Sequence, residues 1–484
     1  MLFGVPQAVK SFFQPALGGL SKPIGRSLPV MALALLMAPH RRCLKTLAGM
    51  VLGRREHGAT ISRRLRNRRW KTHAWYTKLY EKLWSDTERW ERKQAGKKKR
   101  QWVLVIDTTY HGSMSECMEN LLSFSRRHRD PGKRSTANHA FLMALLLTDK
   151  GGRLPLPRKS YYTKDYCAQK RRRYRSLNDL AAAMIREVAV PEDVEVTVVY
   201  DSAFDAKQVH QAARHRGFRE IFPLDPNRNL SESTAVAGAE LRSQKVVHWT
   251  RTWHRDAFTL LDLQVDNEDH VFFRRRHRDN LRRRKTERRY AVAARRATVS
   301  KLGDCLIVAS YKENPKVKLE AGVSADWWTC HTGPVVYDRQ RRPRPRRWHA
   351  KVLACTDPTA TARQVIEWYE VRWQIEIFFR ELKSRMQLGC YVLMKFEAVE
   401  RYLDLLLMGF LLLEQQRLRD LERAGPPAER GGEEWLHART TDRLRSLEGL
   451  CDEWNAGEIE RRMRTRRGRT RLLKELRERL PRVA

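Results

Sequence analysis

The chain has 484 residues, and its 96 Lys and Arg against 56 Asp and Glu give a formal net charge of +40 and a pI of about 10.4. So basic a chain indicates a phosphate-rich partner, although a ribosomal-type or membrane-surface protein could carry the same charge. A hydrophobic content of 42% with 14 Trp residues excludes a disordered polycation and leaves room for two or more domains with a large core.

The cysteines and the first apolar run bear on where the protein works. The 8 cysteines are scattered, without a CxxC pair or zinc-ligand spacing, so we expect reduced thiols and a cytoplasmic protein. The longest apolar run near the start, residues 30–38, is too short to cross a bilayer, and we expect no membrane segment. The run could pass for a short signal sequence, but the basic charge downstream argues against secretion.

The N-terminal region, residues 1–99, is expected to be mainly helical. Scattered Gly and Pro predict partial disorder for residues 1–28, and the helical pattern that follows is interrupted at Gly53–Gly58. Further helices are predicted from Thr60 and over Thr72–Arg92. A helix, a short turn and a basic helix resemble a helix-turn-helix, while a small helical bundle with a solvated basic face fits equally well. The arginines that would read bases are Arg63, Arg64 and Arg66.

Two strand-like runs that end in aspartate predict strands of a central sheet. Gln101–Asp107 and Val194–Asp201 are rich in apolar and β-branched residues, which is typical of strands buried on both faces. An acid at the carboxyl end of such a strand would lie at the sheet edge where open α/β sheets bind ligands. Either aspartate could instead be an ordinary turn residue. We expect the nearby Asp205 to lie inside a helix over Phe204–Arg216 and therefore prefer Asp201.

The remaining segments complete an α/β pattern with a long insertion. Other strands are predicted over Ala140–Thr148, Arg153–Leu156, Glu220–Leu224 and Lys351–Cys355, and a helix over Ser176–Glu187. Residues 244–348 contain several strand-like runs and predict a β-rich insertion domain, because a structureless loop of that length is improbable. The insertion also contains dense cation runs. Such runs are solvated loops in most proteins, but several on one acid-poor insertion favour DNA contact. These runs are Arg274–Arg278, Arg282–Lys285 and Arg341–Arg347.

The stretch Tyr369–Lys383 contains no Gly or Pro, and its apolar residues recur at helical spacing. Treated as one regular helix, it places Tyr369, Arg372, Glu376 and Lys383 on a stripe about 60° wide beside the buried face. A carboxylate flanked by two cations and a phenol suits a site that handles metal and phosphate. An amphipathic helix with ion pairs along its boundary explains the same stripe without any site.

The spacing Tyr, two residues, Arg, three residues, Glu, six residues, Lys resembles the signature of cut-and-paste transposases of the insertion-sequence-4-like family. The resemblance implies an Asp-Asp-Glu (DDE) transposase whose catalytic, metal-binding acids are Asp107, Asp201 and Glu376. It implies two Mg²⁺ ions, with Mn²⁺ as a substitute, that activate a water and then a 3′-hydroxyl for attack on phosphodiesters. The sequence departs from the pattern at Thr108, because many relatives carry a second acid there.

The resemblance also gives other side chains a role at DNA. Arg372 and Lys383 would hold the phosphate of the terminal strand, and Tyr369 would orient it. In this family a Trp of the insertion domain can stack on a base flipped from the cleaved end, and we favour Trp348. A Trp in the hydrophobic core is the more common role. The competing candidates are Trp327 and Trp328.

The implied fold is α/β, with a ribonuclease-H-like catalytic core that a β-rich insertion domain interrupts. A helical DNA-binding region precedes the core and a basic helical region follows it. The expected boundaries are 1–99 for the N-terminal region, 100–243 and 349–424 for the core, 244–348 for the insertion and 425–484 for the C-terminal region. The implied partner is double-stranded DNA, at inverted-repeat ends and at the target, bound by a homodimer in a bacterial nucleoid.

The late helices belong to the second part of the core and to the C-terminal region. Asp357–Pro358 is expected to begin the helix that carries Glu376, and Gly389 to end it. Ala398–Leu421 predicts an apolar helix packed on the sheet, and Ser446–Arg479 predicts an Arg-rich peripheral helix.

Two other functions remain compatible with these features. One is a catalytically inactive, transposon-derived DNA-binding protein, which the intact acids disfavour. The other is a ribonuclease-H-like nuclease that acts without strand transfer.

Overall fold

The computed structural model describes residues 5–37, 44, 47–49, 58–95, 99–112, 117–124, 136–224, 228–232, 244–245, 259–266, 285–300, 302–313, 348–386, 388, 391, 393–424 and 440–479. Contacts within the chain divide it into two compact units. Unit 1 comprises Met1–Glu195 and Trp373–Ala484, and unit 2 comprises Val196–Arg372.

Both helices and strands are abundant, which confirms the predicted α/β class. The α-helices are α1 (Gln7–Leu17), α2 (Lys22–Met37), α3 (Gly58–Arg66), α4 (Thr72–Ala95), α5 (Lys164–Gln169), α6 (Leu177–Glu187), α7 (Lys207–His215), α8 (Ala362–Glu370), α9 (Trp373–Arg380), α10 (Phe396–Ala424), α11 (Thr440–Met463) and α12 (Arg466–Arg479). Within the described residues, none of these helices is long and apolar enough to span a membrane.

The strands account for most of the predicted strand-like runs. They are β1 (Arg100–Gly112), β2 (Leu122–Phe124), β3 (Thr136–Leu147), β4 (Arg153–Pro155), β5 (Lys159–Ser160), β6 (Val194–Tyr200), β7 (Arg219–Pro223), β8 (Asn229–Glu232), β9 (Gln244–Lys245), β10 (Thr259–Asp266), β11 (Lys285–Val299), β12 (Gly303–Glu313) and β13 (Trp348–Cys355).

The sheet of unit 1 is built on the long antiparallel pair β1 and β3, with β2, β4 and β5 also paired to β3. Asp107 lies opposite Met143 in the middle of β1, which continues to Gly112. The prediction that Asp107 ends its strand is therefore wrong. Thr108, Thr109 and Tyr110 favour a strand by local propensity, and pairing with β3 carries β1 past Asp107 to Gly112.

The apolar helix α10 lies at the centre of unit 1 and confirms the predicted helix over Ala398–Leu421. Residues 402–413 are all buried, and α2, α3, α4, α11 and β4 pack against the helix. Gly409 permits a close approach of α2, because a Cβ atom at this position would lie 2.9 Å from the side chain of Leu36. Burial on nearly all sides explains why the apolar residues of α10 are not confined to one stripe.

Unit 2 contains a mixed sheet. Strands β6 and β7 run parallel, and β13 is antiparallel to β7. Strand β12 pairs with β13 from Leu306 opposite Cys355 to Glu313 opposite Trp348, and β11 pairs with β12. Strands β8 and β10 pair with β11, and β9 pairs with β8. The described strands of the predicted insertion, residues 244–348, thus continue the sheet that contains β7 and β13.

Helices occupy most of residues 5–28, so partial disorder is not found in the described part of the range 1–28 for which it was predicted. Helix α1 buries Val9, Phe12 and Phe13, and α2 buries most residues of its second half. Both helices contain a proline, Pro15 in α1 and Pro29 in α2. Burial of these apolar faces against α4 and α10 outweighs the local preference of Gly and Pro for turns.

The stretch Tyr369–Lys383 is not one regular helix. Helix α8 ends at Glu370. Beyond it, the N–H of Arg372 donates to the carbonyl of Tyr369 at 3.0 Å, three residues back along the chain instead of the four of an α-helix. Helix α9 begins at Trp373, and a π-helical turn follows over Glu381–Arg385. The continuous stripe expected from uniform helical spacing is therefore interrupted twice.

The start of α8 also differs from the prediction. Thr361 caps the helix through a reciprocal capping box with Gln364, so Asp357–Pro358 does not begin it. Asp357 instead pairs with Arg219 at 3.0 Å and accepts hydrogen bonds from Thr359. The predicted end at Gly389 falls outside the described residues.

Helices α11 and α12 confirm the helical prediction for Ser446–Arg479, with a break at residues 464–465. The first helix of the predicted helix-turn-helix, near residues 44–52, lies mostly outside the described residues.

Candidate functional site

In unit 1, Asp107 and Glu376 lie on elements that pack together. Asp107 is half-buried on β1, and its Oδ1 accepts a hydrogen bond from the N–H of Thr108 at 2.7 Å. Helix α9 packs on β1 and buries Ile375, Ile377 and two phenylalanines. Glu376, in the first turn of α9, is half-buried between these apolar positions. The fold of unit 1 thus fixes both backbone positions against one another.

Lys383 connects the two acids electrostatically. It lies in the π-helical turn that follows α9, and its ammonium is 5.9 Å from the ring centre of Phe379. Burial lowers the pKa of Lys383, although the residue as a whole is exposed, and the charges of Glu376 and Asp107 oppose this shift. One cation therefore interacts with both carboxylates. Single π-turns inside helices are frequent at functional sites because they redirect side chains.

In unit 2, Asp201 directly follows β6, as predicted. Its side chain is exposed and accepts a hydrogen bond from the N–H of Ser202 at 2.8 Å, which caps a 3₁₀ turn over Ser202–Phe204. Asp205 does not lie inside a helix, because α7 begins at Lys207. A carboxylate that is exposed at the end of a parallel strand remains accessible to a ligand.

The structure distinguishes Asp205 from Asp201 by burial and pairing rather than by a position inside a helix. Asp205 pairs with His210 at 3.0 Å and with Arg228 at 3.0 Å, and its side chain is only 6% exposed. On the other ring nitrogen, His210 lies 3.0 Å from Glu220, which accepts a hydrogen bond from Tyr200 at 2.6 Å. Asp205 is thus part of a buried polar network that supports the turn carrying Asp201.

Tyr369 and Arg372, both in unit 2, lie in the electrostatic environment of Asp201. Tyr369 is buried, and burial raises its pKa to about 12, with Arg372 opposing and Asp201 adding to the shift. The guanidinium of Arg372 is 6.0 Å from the centre of the Tyr369 ring. The phenol and the guanidinium could bind a phosphate oxygen, and the Asp201 carboxylate could bind a metal ion that contacts the same phosphate.

Lys351 is a further member of this group that the sequence did not single out. Its ammonium donates a hydrogen bond to the Tyr369 hydroxyl at 3.3 Å and lies 4.6 Å from the ring centre. Burial of the ammonium and the charge of Arg372 lower the pKa of Lys351, and the charges of Glu370 and Asp201 oppose them. In the sequence, the feature that could have identified Lys351 is its positive charge in the otherwise apolar strand Lys351–Cys355.

The donor chemistry of the three acids suits a divalent ion. Carboxylate oxygens are the hard ligands that Mg²⁺ and Mn²⁺ prefer. Within the described parts of the chain, no three His, Cys, Asp or Glu side chains are gathered closely enough to hold a metal.

The remaining predicted site residues have different settings. Trp348 begins β13, and its side chain is not among those described. Trp327, Trp328 and the runs Arg274–Arg278 and Arg341–Arg347 lie outside the described residues, as does Arg282–Lys285 except for the backbone of its last residue.

The three arginines predicted to read bases lie on α3. Arg63 and Arg66 are exposed, whereas Arg64 is half-buried and its pKa is lowered by burial. Two of the three side chains are thus accessible to DNA.

Comparison with known proteins adds one match. Residues 173–412 match the family model of the transposase DDE domain. No curated protein matches the chain. The matched region includes Asp201, Glu376, Lys383 and the group around Tyr369, whereas Asp107 precedes it. The match to the transposase DDE domain, over a region that contains the second and third predicted acids, supports a transposase of the DDE type that acts on DNA.

Proposed function

We propose that this protein is a cut-and-paste DNA transposase similar to the insertion-sequence-4-like family. The observation that carries the proposal is the Tyr-Arg-Glu-Lys spacing inside the matched region, with each signature cation near a proposed catalytic acid. Lys383 interacts with Asp107 and Glu376, and Arg372 lies with Tyr369 in the environment of Asp201. Ion pairs along a boundary would explain one such cation, but less readily cations placed at all three acids.

Asp107, Asp201 and Glu376 would together hold two divalent ions, Mg²⁺ or Mn²⁺. The joint use of the three acids is taken from the resemblance, and the setting of each acid comes from its own unit. Bound ions of this kind supply Lewis-acid polarisation of a phosphodiester and a more acidic water or hydroxyl nucleophile. Ionised carboxylates are the oxygen ligands that such ions prefer.

The cations bind and orient the DNA end. Arg372 offers a planar fork of donors that matches a phosphate, and Lys383 offers a point charge. Tyr369 stays protonated at neutral pH, because burial raises its pKa to about 12, and can donate a hydrogen bond to a phosphate oxygen. Lys351 donates a hydrogen bond to the Tyr369 hydroxyl and adds positive charge.

The proposal extends to the architecture and the partners. The catalytic core is ribonuclease-H-like, and residues 244–348 form its insertion. Arg63, Arg64 and Arg66 contribute to recognition of the inverted-repeat end, and Trp348 stacks on a base of the cleaved end. The chain acts as a homodimer in the DNA complex, on the element ends and on target DNA.

The test is cleavage of the duplex that carries the flanking inverted repeat, by the purified full chain, with Mg²⁺ and with a chelator. We expect Mg²⁺-dependent cleavage followed by joining of the cut end to a second duplex. Asp107→Asn, Asp201→Asn and Glu376→Gln should each lower cleavage by roughly a thousandfold or more, and double variants should lose little further, because the acids act as one unit.

The matched control is Glu367→Gln, which removes an exposed carboxylate from α8 and should cleave like the wild type. DNA affinity and thermal unfolding of the three acid variants should stay near those of the wild type, because carboxylates that share a metal repel one another without it. Full cleavage by Glu376→Gln would refute the third acid. Cleavage without any joining would favour a nuclease, and binding without metal-dependent cleavage would favour an inactive DNA-binding protein.

A further inference from the structure

A cleft with a cavity volume of about 620 Å³ opens in unit 1. It is bordered by the turn between α3 and α4, by residues around β5 and the loop before α6, and by the first turns of α10. Eight Lys and Arg residues line it, against three acids. None of the proposed catalytic residues is among the lining residues. The proposed cleavage chemistry therefore leaves this cleft unexplained.

The floor of the cleft is an ion network built around Arg158. Asp404, which is 1% exposed, pairs with Arg158 at 2.8 Å and accepts a hydrogen bond from the Thr72 hydroxyl at 2.7 Å. Arg158 also pairs with Glu400 at 3.2 Å, and Glu400 accepts a hydrogen bond from Tyr162 at 2.8 Å. Both acids of the floor thus lie against Arg158, and their partners hold the three walls together.

The surplus positive charge lies at the rim. The third acid of the cleft, Glu397, is within 3.8 Å of Arg172 and 3.7 Å of Arg401. With every acid close to a cation, the remaining charge of the cleft is positive. Four further rim side chains are exposed: Arg68, Lys71, Arg173 and Arg175. An open basic rim above a floor whose two acids are paired with Arg158 is a surface for an anion that stays at the rim.

The chemistry of the rim fits a phosphate backbone more closely than it fits unpaired bases. Three of the four rim cations are arginines, whose guanidinium forks match phosphate oxygens. Besides the imidazole of His73, the cleft has two aromatic rings, and neither is available for stacking. Trp70 is 4% exposed, and the guanidinium of Arg172 lies 4.9 Å from the ring centre of Tyr162. Single-stranded DNA would need such open aromatic faces, so a duplex is favoured.

We propose that this cleft binds the backbone of a DNA duplex, outside the point of strand cleavage. Arg68 follows α3 closely, so DNA that contacts Arg63 and Arg66 would continue onto the rim, where Arg173 and Arg175 grip it from the other wall. The identity of the duplex as the element end rests on the proposed transposase function. The contacts are to phosphates, so they add affinity and orientation without reading sequence.

The test uses the full chain with Arg173→Glu and Arg175→Glu together. Binding is measured by fluorescence anisotropy over a series of salt concentrations, on the inverted-repeat duplex and on a random DNA duplex of equal length. We expect the affinity for both duplexes to fall by the same factor, about tenfold or more at low salt. The slope of log affinity against log salt should become shallower by about two, because roughly one unit is lost with each phosphate contact.

The matched control is Lys78→Glu with Lys93→Glu, which makes the same charge change at exposed positions of α4 that do not line the cleft. Its salt slope should equal that of the wild type. A neutral pair, Arg173→Gln with Arg175→Gln, should show a smaller loss in the same direction, and thermal unfolding verifies that each variant folds.

The outcomes separate this inference from the proposed function. If the wild type cleaves DNA but the Arg173→Glu, Arg175→Glu variant binds both duplexes like the control, the cleft is refuted and the transposase proposal stands. If the wild type never cleaves but the variant shows the shallower salt slope, DNA binding by the cleft is supported and the proposed enzyme activity is not. If this variant loses binding to an RNA duplex but binds DNA like the wild type, DNA is refuted as the occupant of the cleft.

Discussion

At the scale of single residues, two lysines report on the acids that the sequence singled out. The pKa of Lys383 is lowered by burial and raised by Glu376 and Asp107, whereas that of Lys351 is lowered by burial and by Arg372 and raised by Glu370 and Asp201. The pKa of each lysine therefore responds to a different subset of the proposed catalytic carboxylates. Spacing along the chain predicted the role of Lys383, but only the fold brings Lys351 to Tyr369.

This division predicts a reciprocal effect on the two lysine pKa values. Glu376→Gln removes a negative charge near Lys383, so the pKa of Lys383 should fall while that of Lys351 stays unchanged. Asp201→Asn should lower the pKa of Lys351 and leave Lys383 unchanged. Lysines labelled by reductive ¹³C-methylation and titrated by NMR give both values in one sample. A fall of both pKa values in both variants would contradict the assignment of each acid to its own lysine.

At the scale of elements, a buried network ties β6, α7 and β7 together beneath Asp201. Tyr200 on β6, His210 on α7 and Glu220 on β7 are mutually hydrogen-bonded, and Asp205 reaches His210 from the turn between β6 and α7. Burial alone would lower the pKa of His210, but the hydrogen bonds to Asp205 and Glu220 raise it above its ordinary value. The network beneath the Asp201 turn thus favours the protonated form of His210.

The raised pKa of His210 predicts how the stability of the protein varies with pH. The protonated histidine stabilises the fold fully below its unfolded pKa of about 6.5, and this contribution is lost as the pH rises through the higher folded value. The free energy of unfolding should therefore decline over that window. His210→Gln should flatten the decline and cost about 3 kcal/mol or more, because it removes the cation that pairs with the buried carboxylate of Glu220.

Urea unfolding at a series of pH values measures this effect. His215→Gln, at a more exposed position near the end of α7, is the control and should keep the decline of the wild type. Equal pH dependence in wild type and His210→Gln would contradict the role given to the network.

Elements with local sequence signals were predicted, whereas elements that depend on distant packing were not. Strand β6 and the capped helix α6 were predicted closely, because their signals are local: β-branched residues in one case and Ser176 with Asp179 in the other. The length of β1 and the breaks between Tyr369 and Lys383 were missed, because they depend on pairing with β3 and on the packing of α9. The spacing of the signature residues identified them without giving their geometry.

At the scale of the whole molecule, the N-terminal helices belong to unit 1 rather than standing apart from it. Arg401 of α10 donates hydrogen bonds to the carbonyls of Leu65 at 2.6 Å and Trp70 at 3.0 Å. Thr72, at the start of α4, donates to the buried Asp404 at 2.7 Å. The expected boundary at residue 99 therefore separates segments that pack on one another within unit 1.

This packing predicts the behaviour of an isolated N-terminal fragment of residues 30–96. Without α10 it would expose the apolar residues that α3 and α4 bury, and the carbonyls of Leu65 and Trp70 would lose their donors. Short helices are marginal in water without tertiary packing. We therefore expect little cooperative melting by circular dichroism and no preference for the inverted-repeat duplex over random DNA, whereas the full chain shows both. The full chain with Arg63→Gln and Arg66→Gln should keep its melting transition and lose the preference alone. A fragment that melts cooperatively and selects the inverted repeat would show that end recognition is independent of α10, and would place the base-reading surface in the first helices by themselves.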